Sequence, residues 1–180
     1  MKNVAFWSST PQQGKTTAAK FLVDNHDYIK IAFADPIKFM IERLLHSAGY
    51  SPLEVRYFLN EGKEREIDLI GTSYRHLART LGTEWGRKLV HPDVWLKIAE
   101  SKIQHSRPPI CVDDLRFPNE AEMLKAKGFT LVKIVRPSLR PGEDSHQSDV
   151  ALRGFDGWDH VIKNDGSLEQ LCARVESVVK

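Results

Sequence analysis

The residues best suited to chemistry lie near the start of the chain, in the stretch VAFWSSTPQQGKTTAAKF from Val4 to Phe21. A short apolar run, Val4 to Trp7, precedes a turn over residues 8–13, and Gly14-Lys15-Thr16-Thr17 then opens a helical pattern. Strand, turn, Gly-Lys-Thr and helix is the order that a phosphate-binding loop requires. Backbone N–H groups of such a loop and of the first helical turn converge on phosphate oxygens. Lys15 then reaches the β- and γ-phosphates of a nucleotide, and Thr16 offers its hydroxyl to Mg²⁺. Pro11, Gln12, Gln13, Gly14 and Thr17 complete the expected ATP-binding stretch. The full pattern asks for a glycine five residues before Gly14, where this chain has Ser9. Either Ser9 takes up a strained backbone or the loop has another shape. The competing reading is an ordinary strand-to-helix turn with a solvated lysine; the apolar run before and the helical pattern after favour the phosphate loop.

Carboxylates and arginines supply the other candidates. Ile110 to Val112 is apolar and ends in Asp113-Asp114, which suits a buried parallel strand with acids at its tip. Either carboxylate could hold a metal ion, through a water; strand-end solubility or a helix cap is the alternative. A helix is expected from Ser73 to about Leu89, with Leu77, Leu81 and Trp85 facing the core at spacing four. Gly82, Thr83 and Gly86 each fall within about 60° of Arg79 on a second face, at about 100° per residue. Two glycines cost a helix about 1 kcal/mol each relative to alanine. Their place beside Arg79 predicts a surface that something approaches closely; close helix packing with a solvated Arg79 is the rival. Asp35-Pro36 opens another helix, with Asp35 as N-cap and Pro36 at the first position. Residues 136–153 hold Arg136, Arg140 and Arg153 with little apolar pattern, which predicts a surface loop with a function.

The elements that must position these groups alternate. Strands are expected at 4–7, 28–33, 110–114, 129–135 and 160–163, separated by helices. The helix after Asp35 has Ile37, Met40, Ile41, Leu44, Leu45 and Ala48 at helical spacing and stops at Gly49. Ser51-Pro52-Leu53-Glu54 is a capping box, and residues 60–72 read as a mobile connection. Trp95, Ile98, Ala99 and Ile103 mark a further helix, Pro118 to Gly128 another. Ser167 and Gln170 cap the last, with Leu168, Leu171, Cys172, Val175, Val178 and Val179 as its buried stripe. This alternation predicts a parallel sheet covered on both faces, with ligands at the carboxyl ends of its strands. Those tips are residues 8–13, Ala34-Asp35, Asp113-Asp114, Arg136 and Asn164, so the distinctive polar groups converge on one end of the sheet.

A chain of 180 residues with 41% hydrophobic content is enough for one domain, 1–180. The net charge of +2, without a dense Lys/Arg run, argues against a nucleic-acid partner. Cys111 and Cys172 make no metal spacing and read as reduced core residues, which fits a cytoplasmic setting. The N-terminal apolar run is too short for a signal peptide, and no stretch approaches the roughly 18 apolar residues of a membrane span.

Taken together, these stretches resemble the deoxynucleoside monophosphate kinases of tailed bacteriophages, a P-loop kinase family, over nearly the whole chain. The resemblance is carried by Gly14-Lys15-Thr16, by Phe33-Ala34-Asp35-Pro36-Ile37-Lys38, and by Arg79-Thr80-Leu81-Gly82-Thr83-Glu84 with Arg87. His91-Pro92-Asp93-Val94-Trp95, Asp114-Leu115-Arg116-Phe117-Pro118-Asn119-Glu120 and Asn164-Asp165-Gly166-Ser167-Leu168 complete it.

The resemblance implies ATP- and Mg²⁺-dependent phosphorylation of deoxynucleoside 5′-monophosphates to diphosphates. It implies a three-layer α/β P-loop kinase fold: a five-stranded parallel sheet with helices on both faces, a helical monophosphate-binding region at about 35–105 and a lid at about 136–153. Lys15, Arg79, Arg116 and Arg136 become the expected catalytic residues. Ala34, Asp35, Lys38, Arg79, Gly82, Thr83, Arg87 and Trp95 become the acceptor side, with packing the rival role for Trp95 and solvation for Lys38. Arg140 and His146 belong to the lid, Asn164 to the adenine side, and Asp114 joins Thr16 as the metal residue. The implied partners are small nucleotides, with no nucleic acid or membrane; a homodimer is compatible with the chain. The location is the cytoplasm, the host's if the chain is phage-encoded. Two other readings are a P-loop kinase for another small acceptor, such as a coenzyme precursor (dephospho-coenzyme A kinase-like), and a nucleotide-gated binding protein without turnover. The number of arginines argues against the last.

Overall fold

Val4–Trp7 is buried along its whole length, as a central strand covered on both faces must be. The computed structural model describes residues 1–139 and 151–180. In chain order its elements are β1 (Val4–Trp7), α1 (Lys15–His26), β2 (Ile29–Lys30), α2 (Asp35–Ser47), α3 (Pro52–Asn60), β3 (Glu66–Ile67) and β4 (Thr72–Ser73). There follow α4 (Tyr74–Arg79), a π-helix (Thr80–Val90), α5 (Val94–Gln104), β5 (Ile110–Val112), α6 (Pro118–Ala126), β6 (Thr130–Val135), β7 (His160–Lys163) and α7 (Leu168–Val179). They form two compact units, residues 1–32 with 99–180, and residues 33–98.

The first unit holds the five-stranded sheet, in the order β2-β5-β1-β6-β7 with every pair parallel. Val4 and Phe6 of β1 point to one face and join Ala18, Ala19 and Leu22 of α1, Cys111, Val132, Ile134 and Ile162 of the sheet, and Leu171, Val175, Val178 and Val179 of α7. On the chain's return, α6 packs along β6. The expected parallel α/β sheet with helices is therefore present. Its registers fix the strand tips. Ala5 pairs with Val112, so continuing that register sets Asp114 beside Trp7, immediately before the loop. Val135 pairs with Lys163, and the N–H of Asn164 donates to the Val135 carbonyl at 2.7 Å. The second strand is shorter than the sequence suggests. Only Ile29 and Lys30 pair as strand, at an edge where Ile29 is exposed.

The helical unit has its own core of Ile37, Ile41, Leu45, Val55, Phe58, Ile67, Tyr74 and Trp95. Along α2 only one line of the apolar stripe is buried; Met40 and Leu44 are exposed. The Ser51–Glu54 capping box forms as expected. Residues 60–72 are not the structureless connection their charges suggest. Glu66 and Ile67 pair antiparallel with Ser73 and Thr72, and the turn closes on the Ile67 carbonyl, which accepts from the N–H groups of Ile70 and Gly71 at 2.8 Å each. Gly71 has φ 71, and Ile67 is fully buried. One buried isoleucine among charged neighbours leaves no periodicity to read.

The helix expected from Ser73 starts as predicted, with the Ser73 hydroxyl accepting from the His76 N–H at 3.2 Å. Past Arg79 it changes to π winding, and the N–H of His91 donates to the Gly86 carbonyl five residues back at 2.9 Å. A wider turn advances each residue by less than an α-helix does. The angular reading therefore drifts, and Trp85, expected in the core, is 41% exposed. Leu77 and Leu81 are half-buried, while Gly82, Thr83 and Gly86 face inward. Among the described residues no helix is long and apolar enough to cross a membrane.

Candidate active site

At the tip of β1 the chain turns through residues 8–14 into α1. Gly14 is the N-cap of α1 and contributes no side-chain cap, and the first turn carries no acidic residue. The first N–H groups of a helix have no intrahelical partner, so this end of α1 suits an anion. Thr16 and Thr17 lie exposed on it, as do Pro11 and Gln12 in the preceding turn. Lys15 is half-buried and its ammonium donates to the Ser8 hydroxyl, which in turn donates to the Thr10 carbonyl at 2.8 Å.

The loop's left-handed residues are Gln12, at φ 62, and Gly14, at φ 109; Ser9 is not among them. Ser9 therefore takes no left-handed backbone, and the non-glycine residue of the loop that does is Gln12. The shape comes from Gln13, only 2% exposed, whose amide donates to the Thr10 hydroxyl at 2.5 Å and to the Ser9 hydroxyl at 3.3 Å. Its own Oε1 is buried with no hydrogen-bond partner among the described residues. Asn164 closes the loop from the tip of β7 by donating to the Gln13 carbonyl at 2.9 Å. A Cβ on Gly14 would sit 2.7 Å from that Asn164 amide, so position 14 needs glycine for space as well as for its backbone.

The tip of β5 separates the two carboxylates. Asp113 is buried and paired with the Lys30 ammonium of β2 at 2.8 Å. Asp114 is half-buried. Below them, burial pushes the Cys111 thiol up to about 12; the nearby Asp113 carboxylate adds to this and the Lys30 ammonium opposes it. Leu115 is buried, and Arg116 is exposed in the turn to α6. Glu120, 1% exposed, reaches back into that turn and accepts from the N–H groups of Arg116 at 2.8 Å and Phe117 at 3.1 Å. Arg136 is exposed just past β6, and its carbonyl accepts from the Leu139 N–H at 2.9 Å.

In the helical unit, Ala34 rather than Asp35 occupies the N-cap of α2. Asp35 is the first helical residue, with Pro36 after it, so its carboxylate lies in the first turn, where the helix dipole favours negative charge. The Lys38 ammonium stands 3.5 Å from it. Arg79 ends α4, exposed; Arg87 lies on the π-helix and donates to the Pro92 carbonyl at 3.2 Å. What approaches the two glycines is protein. Trp95, 3% exposed, donates from Nε1 to the Gly82 carbonyl at 2.7 Å. A Cβ on Gly86 would meet the Trp95 ring at 2.4 Å, and one on Gly82 would meet Ile37 Cδ1 at 3.0 Å. Close packing thus accounts for Gly82, Gly86 and Trp95, and Thr83 is buried beside them. Arg140 and His146 lie outside the described residues.

A parallel five-stranded sheet, a Gly-Lys-Thr loop leading from its central strand into a helix N-terminus, and an acid at the next strand tip define an α/β protein of the P-loop kinase class. The family model for deoxynucleotide monophosphate kinases matches residues 70–175. A protein of Acanthamoeba polyphaga mimivirus assigned as a deoxynucleotide monophosphate kinase is 30% identical, over 92% of this chain and 90% of its own. The deoxynucleotide monophosphate kinase of Enterobacteria phage T4 is 25% identical, over 97% and 98%. An unliganded sugar kinase of Janibacter sp. superposes with a TM-score of 0.48 and 14% identity, over 99% of this chain and 94% of that one. The chain belongs to the deoxynucleotide monophosphate kinase family, and is a nucleotide kinase.

Sequence reasoning passed over three residues of the sheet unit. Gln13 was read only as part of the loop, and its burial has no signal in a polar stretch. Glu120 was read only as part of a family pattern, although a glutamate four residues after Arg116 at the start of a helix is placed to reach the preceding backbone. Lys30 looked like any exposed strand lysine, and only the parallel register of β2 with β5 reveals its partner.

Proposed function

We propose that this protein transfers the γ-phosphoryl group of ATP, with Mg²⁺, to a deoxynucleoside 5′-monophosphate. The observation that carries the reading is the phosphate loop itself, with Lys15 and the open N-terminus of α1 at the tip of the central strand, in a chain of this family. In the reaction an oxygen of the acceptor phosphate bonds to the γ-phosphorus, the bond from that phosphorus to the β–γ bridging oxygen breaks, and ADP leaves with the electron pair. No covalent enzyme intermediate is needed, so the protein's work is alignment, exclusion of water and stabilisation of spreading negative charge.

In this reading the sheet unit holds the donor. Residues 11–17 bind the triphosphate through backbone N–H groups, with Gln13 and Asn164 fixing the loop's shape. Lys15 leaves Ser8 for the β- and γ-phosphates. The Thr16 hydroxyl and the Asp114 carboxylate are hard oxygen donors of the kind Mg²⁺ takes alongside substrate phosphates. Asp113, neutralised by Lys30, is the poorer candidate. When bound, the ion neutralises charge on the phosphate oxygens. Arg116 and Arg136 supply positive charge to the transferred group; such an arginine is worth about 10³–10⁵ in rate.

The helical unit holds the acceptor. Arg79 and Arg87 take its phosphate, and Asp35 with Lys38 and Ala34 orients it. Gly82, Thr83 and Trp95 serve by packing the π-helix, which carries Arg87 and continues from the Arg79 end of α4. The test is release of ADP over a panel of acceptors. Turnover with dGMP or dTMP supports the proposal. Turnover only with a coenzyme precursor, or ATP binding without acceptor-dependent ADP, overturns it.

A further inference from the structure

We propose that Glu120 is a positioning residue for the metal and phosphate groups, acting through the backbone of the turn that carries Asp114 and Arg116. The inference rests on the reading of Asp114 as the metal residue. A carboxylate that is 1% exposed has given up its water, and burying a charge is costly unless its oxygens are hydrogen-bonded. The same oxygen of Glu120, Oε2, accepts from two successive backbone amides, those of Arg116 and Phe117. Successive N–H groups converging on one oxygen form an anion nest. Here the anion is the protein's own, and it is the turn that is held. The Asn119 side chain bonds the Glu120 N–H at 3.1 Å, which fixes the start of α6 from which Glu120 reaches back.

The consequence falls on the two neighbouring side chains. Upstream the turn is fixed by the β5 ladder and by the pairing of Asp113 with Lys30. Buried Leu115 pins its middle. Glu120 fixes its downstream end, so the direction in which Asp114 and Arg116 leave the backbone is set on both sides. A helix cap alone would need only one of these bonds. Both amides it takes belong to residues between Asp114 and the first residue of the helix, Pro118, which itself has no N–H to offer.

The test uses the full chain and five forms: wild type, Asp114→Asn, Glu120→Ala, Glu120→Gln and the double variant Asp114→Asn with Glu120→Ala. Two quantities are read, the Mg²⁺ concentration for half-maximal turnover and amide hydrogen exchange over residues 114–118. Glu120→Ala should raise the Mg²⁺ midpoint about 10-fold, the lower end of what loss of an outer-shell partner costs a metal site. The KM for the monophosphate should stay within about twofold, and exchange should rise at 114–118 but not along β5. The double variant should show no larger Mg²⁺ shift than Asp114→Asn alone, since both act through one ligand. Glu120→Gln keeps the volume and an acceptor oxygen and should recover most of the midpoint. If Asp114→Asn raises the midpoint and the Glu120 variants do not, the proposal is overturned while the role of Asp114 stands. If Asp114→Asn leaves the midpoint unchanged, the metal reading fails and takes the proposal with it. A fall in kcat and in melting temperature together, at an unchanged midpoint, would mean that Glu120 merely holds the fold.

Discussion

Lys15 shows how much a single residue carries and what its surroundings add. Its ammonium donates to the Ser8 hydroxyl, so it is held within the loop rather than waving in solvent. Lys15→Ala should reduce kcat by at least about 10², the usual loss on removing one charge-stabilising contact. Steady-state assays with saturating ATP check this, and near-wild-type turnover would remove the phosphate loop from the mechanism. Gln13 makes a finer prediction. Its two side-chain bonds to Thr10 and Ser9 are worth about 0.5–1.5 kcal/mol each, so Gln13→Ala should raise the KM for ATP roughly 10-fold with the KM for the monophosphate unchanged. Ser9→Gly should cost less in that background than in the wild type, because the bond it removes is already gone; equal costs would show that Ser9 and Gln13 are independent. Lys15, Thr16 and Gly14 were legible because their chemistry is tied to a fixed spacing. Ser9 was legible only as a departure, since its compensation lies in a side chain whose burial no local pattern announces.

At the scale of elements, four strands of the sheet and the two serine capping boxes followed from the sequence; the short β2, the β3–β4 pair, the N-cap of α2 and the winding of one helix did not. The β1, β7 and α7 boundaries, and the capping boxes at Ser51 and Ser167, depend on neighbours along the chain and could be read there. The π-helix from Thr80 to Val90 packs against Trp95, which comes from α5. Its indole occupies the space above Gly86 and bonds the Gly82 carbonyl, so the glycines answer to a partner nine or more residues away. Gly86→Ala tests this with opposed terms. Alanine favours a helix by about 1 kcal/mol over glycine. Its Cβ, however, would lie 2.4 Å from a buried ring that its own hydrogen bond holds in place, and overpacking of this kind costs about 1–3 kcal/mol. The variant should therefore be net destabilised, seen as a lower urea midpoint. A stability gain would mean that the ring moves freely and that the glycines face something other than Trp95.

At the scale of the whole molecule, the sheet core carries a pH dependence of its own. Cys111 lies fully buried in it, bonded to the Ala19 carbonyl at 3.8 Å, and its thiol is pushed up to about 12 chiefly by burial. Burial also raises Tyr28, whose hydroxyl donates to the Lys2 carbonyl at 2.6 Å. A thiol in the unfolded chain titrates near about 8.5. Because the folded value is the higher, the contribution is complete below that pH and is lost as pH rises toward the folded value. The urea midpoint should be level from pH 7 to about 8.5 and fall above it, less steeply in Cys111→Ala. A level profile to pH 11 would contradict the burial of both groups.

The proposed division of labour between the two units makes the broadest prediction. The first N–H groups of an α-helix point out of its end, and Gly14 offers those of α1 no side-chain cap. A non-hydrolysable ATP analogue should slow exchange at residues 12–17, because its phosphates accept from the loop and helix N–H groups, and leave residues 34–38 and 79–87 unchanged. A deoxynucleoside monophosphate given alone should do the reverse. The tips of the sheet strands could be ranked from sequence because a parallel sheet puts its ligands at one end. The helical unit is proposed for the acceptor only through family resemblance, since Arg79 and Arg87 by themselves are compatible with ordinary surface charge. Exchange separates these cases without any turnover. Protection of residues 12–17 by the monophosphate alone would place both substrates on the sheet unit, and the arginines of the π-helix region would then have to be explained by stability instead of binding.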